Sequence, residues 1–260
     1  MGLLVVALTG CTAPASGTPS AAPTVPGTPS ASATAGSGSR VSASSSSPAP
    51  TRAAASASGF DLEQHSVDDP RSIWVVVDKR RPLRPKSWVP QDLVQPDVPH
   101  TNVPRLRKPA AAALERMVAA AKRDGVGVTS LSAYRAYTVQ KSIYERNLRS
   151  LGRAATERLT ARPGYSEHQT GLADDLGDAS GRCGIATCFA TTPAGKWLAA
   201  NAWRYGWILR YPKGQQAVTG IQWEPWHFRY VGTALSKHMH RTDQPLLERV
   251  FGLPASPDYR

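Results

Sequence analysis

The chain has 260 residues and carries 31 Lys and Arg against 19 Asp and Glu, a formal net charge of +12. That length can hold one or two domains. Beyond the first ten residues no stretch has the roughly 18 uninterrupted apolar residues of a helical membrane span, and the basic charge comes with no groove-reading motif for nucleic acid.

Met1 to Gly10 is an apolar run ending in Leu8-Thr9-Gly10-Cys11, which resembles the lipobox of bacterial lipoproteins. The resemblance implies that residues 1–11 are a lipoprotein signal with Cys11 as the lipidated residue. The protein would then be exported and lipid-anchored to the outer face of the cytoplasmic membrane, facing the cell wall. No Lys or Arg precedes the run, which is short for a signal peptide, and an apolar terminus with a free thiol is the other reading of these residues. From Thr12 to Ser58 nearly every residue is Ala, Ser, Thr, Pro or Gly, with Arg40 and Arg52 the only charges and no aromatic residue. Such a segment buries too little apolar surface to offset its ordering entropy, so 12–58 reads as a tether. Residues 59–260 hold all seven Trp and read as one compact domain, expected to act as a monomer. Without Arg40 and Arg52 the basic excess persists, which suits anionic envelope polymers or lipid headgroups as well as a merely solvated surface.

Within that domain, Ile73 to Val77 is a β-branched run that predicts a buried strand. Six prolines from Pro82 to Pro104 then predict an extended arm. A helix is expected from about Pro109, burying Leu114, Met117, Val118 and Ala121 and ending at Gly125. Val126 to Leu131 reads as a strand. Thr138 can cap a second helix running to Gly152, with Tyr144, Leu148 and Leu151 spaced for burial. A third helix is expected from Thr192-Pro193 to Gly206, with Trp197 and Leu198 inward. Trp207–Tyr211 and His227–Val231 read as strands. Helices and strands mix without regular long crossovers, which predicts an α+β fold with a small, mainly antiparallel sheet flanked by helices. Cys183 and Cys188, with four residues between them, suit a small disulfide loop in an exported protein, two free thiols being the alternative.

Two clusters carry chemistry. The first is Ser166-Glu167-His168-Gln169-Thr170-Gly171-Leu172-Ala173-Asp174-Asp175, the second Glu224-Pro225-Trp226-His227. Gly171 and Thr170 argue against a helix, and a strand after Gly171 would put Ala173 and Asp175 on one face and Leu172, Asp174 and Leu176 on the other. If the leucines mark the core, Asp175 faces a cleft, and Asp174 must pair with an Arg or sit at a sheet edge. Pro225 breaks regular pairing and can re-aim Glu224 towards the side of His227. Two imidazoles and one carboxylate are the ligand set of a catalytic zinc site. Taken singly, each cluster also fits an ordinary surface acid and a core histidine.

Ser166-x-His168-x-x-Gly-x-Ala-x-Asp175, followed by Glu224-x-x-His227, resembles the zinc D-alanyl-D-alanine carboxypeptidases related to VanY, of the M15 peptidase family. Ser132-Ala133-Tyr134-Arg135 with Gln140, Asn201 to Trp207, and Arg210-Tyr211-Pro212 agree with it. The resemblance implies a hedgehog- and D,D-peptidase-like fold and one zinc ion held by His168, Asp175 and His227. It makes Glu224 the general base and Arg135 the cation for the developing oxyanion. It assigns the substrate to Ser166, Gln140 and Trp226, and the activity to peptidoglycan stem peptides. Ala133, Ala136 and Asp174 depart from the family pattern. A D,D-dipeptidase, a peptidoglycan endopeptidase and a non-catalytic wall-binding protein are the competing readings. No nucleic-acid partner is expected.

Overall fold

The computed structural model describes residues 60–260; Cys11 and the 12–58 tether lie outside the described residues. Helix α1 (Lys108–Arg123) takes Pro109 in its first turn, where a missing N–H costs nothing, and ends on Lys122 and Arg123, whose charges suit the helix C-terminus. Its buried side chains include Leu114, Met117 and Ala121, at the expected spacing. They pack under a four-stranded sheet of β3 (Val128–Ser132), β4 (Ala173–Asp178), β5 (Trp207–Leu209) and β6 (His227–Tyr230). The order is β3-β4-β6-β5, every neighbouring pair antiparallel. A two-stranded ribbon, β1 (Leu93–Val94) with β2 (Leu106–Arg107), stands apart from it. The architecture is the expected α+β one. No described helix is long and apolar enough to cross a membrane.

Helix α2 (Tyr137–Leu159) departs from expectation. Gly152, at φ 73° and ψ 168°, ends its first part where expected, and a second helical part follows across the kink; its N-cap is Ala136, leaving Thr138 inside the first turn. Tyr144 is buried, whereas Leu151 is 48% exposed. Helix α3 (Pro193–Asn201) starts as its sequence suggests: the Thr192 hydroxyl accepts from the Gly195 N–H at 3.0 Å. A 3-10 turn (Ala202–Tyr205) completes it before Gly206. Short helices α4 (Gln216–Thr219), α5 (Thr233–Arg241) and α6 (Leu247–Val250) complete the fold.

The run at 73–77 is a second correction. Residues 74–77 are buried, but Ile73 and Trp74 lie in a turn and the segment joins no strand ladder. Its side chains alternate between two apolar clusters, Val75 and Val77 in the one around α1, Trp74 and Val76 in a smaller one with Leu235, Met239 and Leu247. Strand-like periodicity therefore comes from lying between two cores. Backbone groups here find other partners: the Val76 N–H donates to Val67 O at 3.0 Å, and the Arg229 guanidinium donates to Ile73 O at 3.0 Å and Val75 O at 2.8 Å.

Candidate metal centre and cleft

Gly171 sits at φ 68°, closing the 3-10 turn Glu167–Thr170 and turning the chain into β4; this left-handed position favours glycine. His168 is thereby held at the head of the sheet, while β4 carries Asp175. In the register of β4 with β6, Asp175 lies opposite His227. Cross-strand partners share a face, so two segments some fifty residues apart converge through one antiparallel pairing. Leu172 and Leu176 are fully buried on the other face, as the alternation predicts.

One donor atom each from His168, Asp175 and His227 falls within 4.8 Å of the others. His168 Nε2 is 3.3 Å from Asp175 Oδ2, and His227 Nδ1 is 3.1 Å from Asp175 Oδ1. The second nitrogen of each ring is spoken for. His168 Nδ1 lies 2.8 Å from Ala133 O, an acceptor only, so this nitrogen carries the hydrogen and Nε2 keeps its lone pair. His227 Nε2 lies 3.2 Å from Glu167 Oε2, which turns Nδ1 towards Asp175. Imidazoles oriented by a backbone carbonyl and a carboxylate are how protein-bound metals are held.

The electrostatics agree with that donor set. Burial, helped by the Arg135 charge, pushes His168 below the usual histidine range and keeps it neutral. Burial would raise Asp175, but the two histidines overrule it and hold the carboxyl well below the ordinary range. For His227 burial works downward, yet hydrogen bonds to Asp175 and Glu167 lift it to about 9. Two imidazole nitrogens and one carboxylate oxygen fit zinc with a position left open.

Glu224 precedes the strand, its N–H bonded to Tyr211 O at 3.1 Å, and the His227 N–H returns to Glu224 O at 3.2 Å. That turn brings Glu224 Oε2 to 3.9 Å from His227 Nδ1. Burial, reinforced by the Asp175 charge, pushes Glu224 up to about 8. Arg135 points into the same cavity of about 150 Å³, which Ser166, Trp226 and Tyr211 also border. The Ser166 hydroxyl bonds to no described residue and is free for a ligand.

Gln140 lies in the cavity wall, but its amide is engaged. Its oxygen accepts from Arg135 Nη1 at 2.8 Å and its nitrogen donates to Ala161 O at 2.7 Å. A guanidinium only donates and a carbonyl only accepts, so this orientation is fixed. Gln140 thus supports Arg135, whose Nη2 donates to Ser132 Oγ at 3.1 Å on the other side. Asp174 is corrected. It neither pairs with an Arg nor sits at an edge, since β4 is interior and Asp174 is fully buried. It accepts from Ser130 Oγ at 2.9 Å, its Oδ2 has no partner among the described residues, and burial drives its carboxyl well above the ordinary range.

The sequence reading missed the group behind His227. Glu167 Oε1 accepts from Arg210 Nε at 2.8 Å and Arg229 Nη1 at 2.9 Å, and Arg210 also grips both oxygens of Glu248. All four side chains are fully buried. Burial would raise Glu167, but Arg210 and Arg229 hold it well below the ordinary carboxylate range. The available signal was Arg229, a charge inside the otherwise apolar strand His227–Tyr230. Cys183 and Cys188 form the expected disulfide. His238 and His240 stack on Phe60 and Trp203.

The family pattern described as "VanY: D-alanyl-D-alanine carboxypeptidase" matches residues 103–233. The chain belongs to the VanY family. It is 38% identical over 188 residues to the protein YodJ of Bacillus subtilis (strain 168), covering 70% of this chain and 68% of YodJ. Its fold is similar to the LdcB LD-carboxypeptidase (TM-score 0.66, 39% identity, 70% of this chain and 87% of that one). It is also similar to a vancomycin-resistance D,D-pentapeptidase VanY mutant in complex with Zn(II) (TM-score 0.57, 29% identity, 67% and 96%). As a VanY-family member the chain is a zinc metallopeptidase.

Proposed function

We propose that this protein is a zinc-dependent D,D-carboxypeptidase that removes the terminal D-Ala from peptidoglycan stem peptides. The observation that carries the reading is the convergence of the His168, Asp175 and His227 donors with the Glu224 carboxylate, 3.9 Å from His227, on one cavity. His168, Asp175 and His227 would hold the ion. When bound, zinc supplies Lewis-acid polarisation and lowers the pKa of water towards about 7. Glu224, buried and raised, is suited to take the proton of the attacking water and to pass it to the leaving amine of D-Ala. Arg135, locked between Gln140 and Ser132, presents a fixed positive charge to the carbonyl oxygen as it gains negative charge. The Ser166 hydroxyl and the Trp226 ring border the remaining space and contact the peptide.

The likeness to an LD-carboxypeptidase favours one second reading, cleavage of an L,D bond in a shortened stem. Incubating the protein with pentapeptide and tetrapeptide stems, with and without chelator, and weighing the products separates the two. Chelator-sensitive loss of one D-Ala from the pentapeptide is expected. Loss from the tetrapeptide alone selects the L,D reading, release of D-Ala-D-Ala a dipeptidase, and no cleavage at all removes the enzyme assignment.

The same proposal extends to location. A peptidoglycan substrate, the lipobox-like Cys11 and a disulfide of the kind that persists in oxidising compartments favour an exported protein, lipid-anchored at the outer face of the cytoplasmic membrane and acting as a monomer. Cys11→Ser is expected to move the protein from the membrane to the soluble fraction. A variant still sedimenting with membranes would remove the anchor.

A further inference from the structure

The mouth of the cleft carries two side chains for which the chemistry has no use. Leu159 is 41% exposed and Ile185 58% exposed, and both border the cavity whose floor is buried. Single exposed apolar residues are ordinary, but these two come from unrelated elements and meet at one catalytic opening. Leu159 ends α2. Ile185 sits in the loop after β4 that the Cys183–Cys188 disulfide closes, with a Cα–Cα distance of 5.5 Å. Residues 185–188 are all exposed, and Gly184 has open space beside its Cα, so the loop projects from the body of the domain. So short a closure stabilises the fold little; its effect is to fix the path of the four residues that carry Ile185.

A carboxypeptidase encloses a single leaving residue, while the longer acyl side of its substrate must pass out through the mouth. Exposed rim residues therefore meet the acyl side. In a stem peptide the residue before the terminal D-Ala-D-Ala is a diamino acid whose side chain is a run of methylenes. We propose that Leu159 and Ile185 form an apolar rim that grips this aliphatic side chain, and that the disulfide holds the Ile185 half in place. The proposal rests on the D,D-carboxypeptidase reading.

The test compares two probes, acetyl-Lys(Nε-acetyl)-D-Ala-D-Ala and acetyl-Gly-D-Ala-D-Ala, with the zinc-loaded full chain. Covering roughly 40 Å² of apolar surface corresponds to about fivefold in binding. Ile185→Ser and Leu159→Ser are each expected to lower the Lys-to-Gly ratio of kcat/KM by about fivefold, mainly through KM. As both residues are exposed, these variants keep the fold. The double variant Cys183→Ser/Cys188→Ser is expected to lower the same ratio with zinc content unchanged. If both single variants cleave both peptides at the wild-type ratio, the rim is idle while the D,D-carboxypeptidase reading stands. An unchanged ratio in the double variant alone removes the disulfide's part. Wild-type protein that binds zinc and cleaves neither probe overturns the activity and the rim with it.

Discussion

Two groups of buried charges lie back to back at the head of the sheet, and they are built on opposite principles. Behind His227, Glu167 and Glu248 face Arg210 and Arg229, two against two, and each carboxylate is gripped by guanidinium groups at 2.6–3.1 Å. In front of it, His168, Asp175, His227 and Glu224 remain poorly matched: Asp175 is far below its ordinary range while Glu224 and His227 are well above theirs. The rear group is complete and serves as a frame. The front group holds one guanidinium, Arg135, whose Nη2 lies 3.8 Å from Asp175 Oδ2, and its remaining donor atoms border the cavity. Glu167 belongs to both, accepting from Arg210 and Arg229 with one oxygen and meeting His227 with the other, and so transfers the rigidity of the frame to the ligand set.

The sharpest way to break the frame is Arg210→Met. It leaves Glu248 a buried carboxylate with no cation partner among the described residues, and the expected loss is about 3–5 kcal/mol of unfolding free energy, read from denaturant titration. A change under about 1 kcal/mol would show that the frame carries no weight. The front group is tested by Glu224→Ala. Hydrolysis is expected to fall at least about a hundredfold with zinc retained, since Glu224 moves protons and holds no metal. Activity near wild type would remove it from the reaction.

The link between the groups is tested by Glu167→Gln, expected to weaken zinc binding about 10–100-fold in competition with a chromogenic chelator. Unchanged affinity would mean that the frame does not reach the ligand. The last test concerns Asp174. Burial raises its pKa above the unfolded value of 3.8, so between the two values the folded state binds more protons than the unfolded state and stability falls as pH rises. In metal-free protein, unfolding free energy of the wild type is expected to fall, relative to Asp174→Val, by up to about 1.4 kcal/mol per pH unit above pH 4. Parallel curves for the two would place the Asp174 proton elsewhere.

How much of this could be read in advance follows from the kind of signal each part leaves. Helix α1 and strand β4 were legible because a single apolar face with glycine punctuation fixes them locally. His168, Asp175 and His227 were legible as a donor set. What brings them together, the pairing of Asp175 with His227, is a register between distant strands that no local pattern carries. The frame was illegible for a different reason. Arg210 and Glu248 look like surface charges until the fold buries them together, and Arg229 between Phe228 and Tyr230 names no partner. The segment at 73–77 shows the converse, a strand pattern without a ladder, because lying between two apolar clusters imposes the same alternation as sheet pleating. Gln140 lines the expected cavity, but its bond to Arg135 was not legible, since sequence does not give the direction of an amide.

The guanidinium of Arg229 reaches back to the carbonyls of Ile73 and Val75, and Arg210 reaches forward to Glu248. Both anchor points lie outside 103–233, the span that carries the family pattern. A version trimmed to that span would leave both arginines to share the single carboxylate of Glu167 in a buried interior. A unit that keeps every partner of these arginines starts before Ile73 and continues past Glu248, which sets the limits for any attempt to graft, swap or miniaturise this domain.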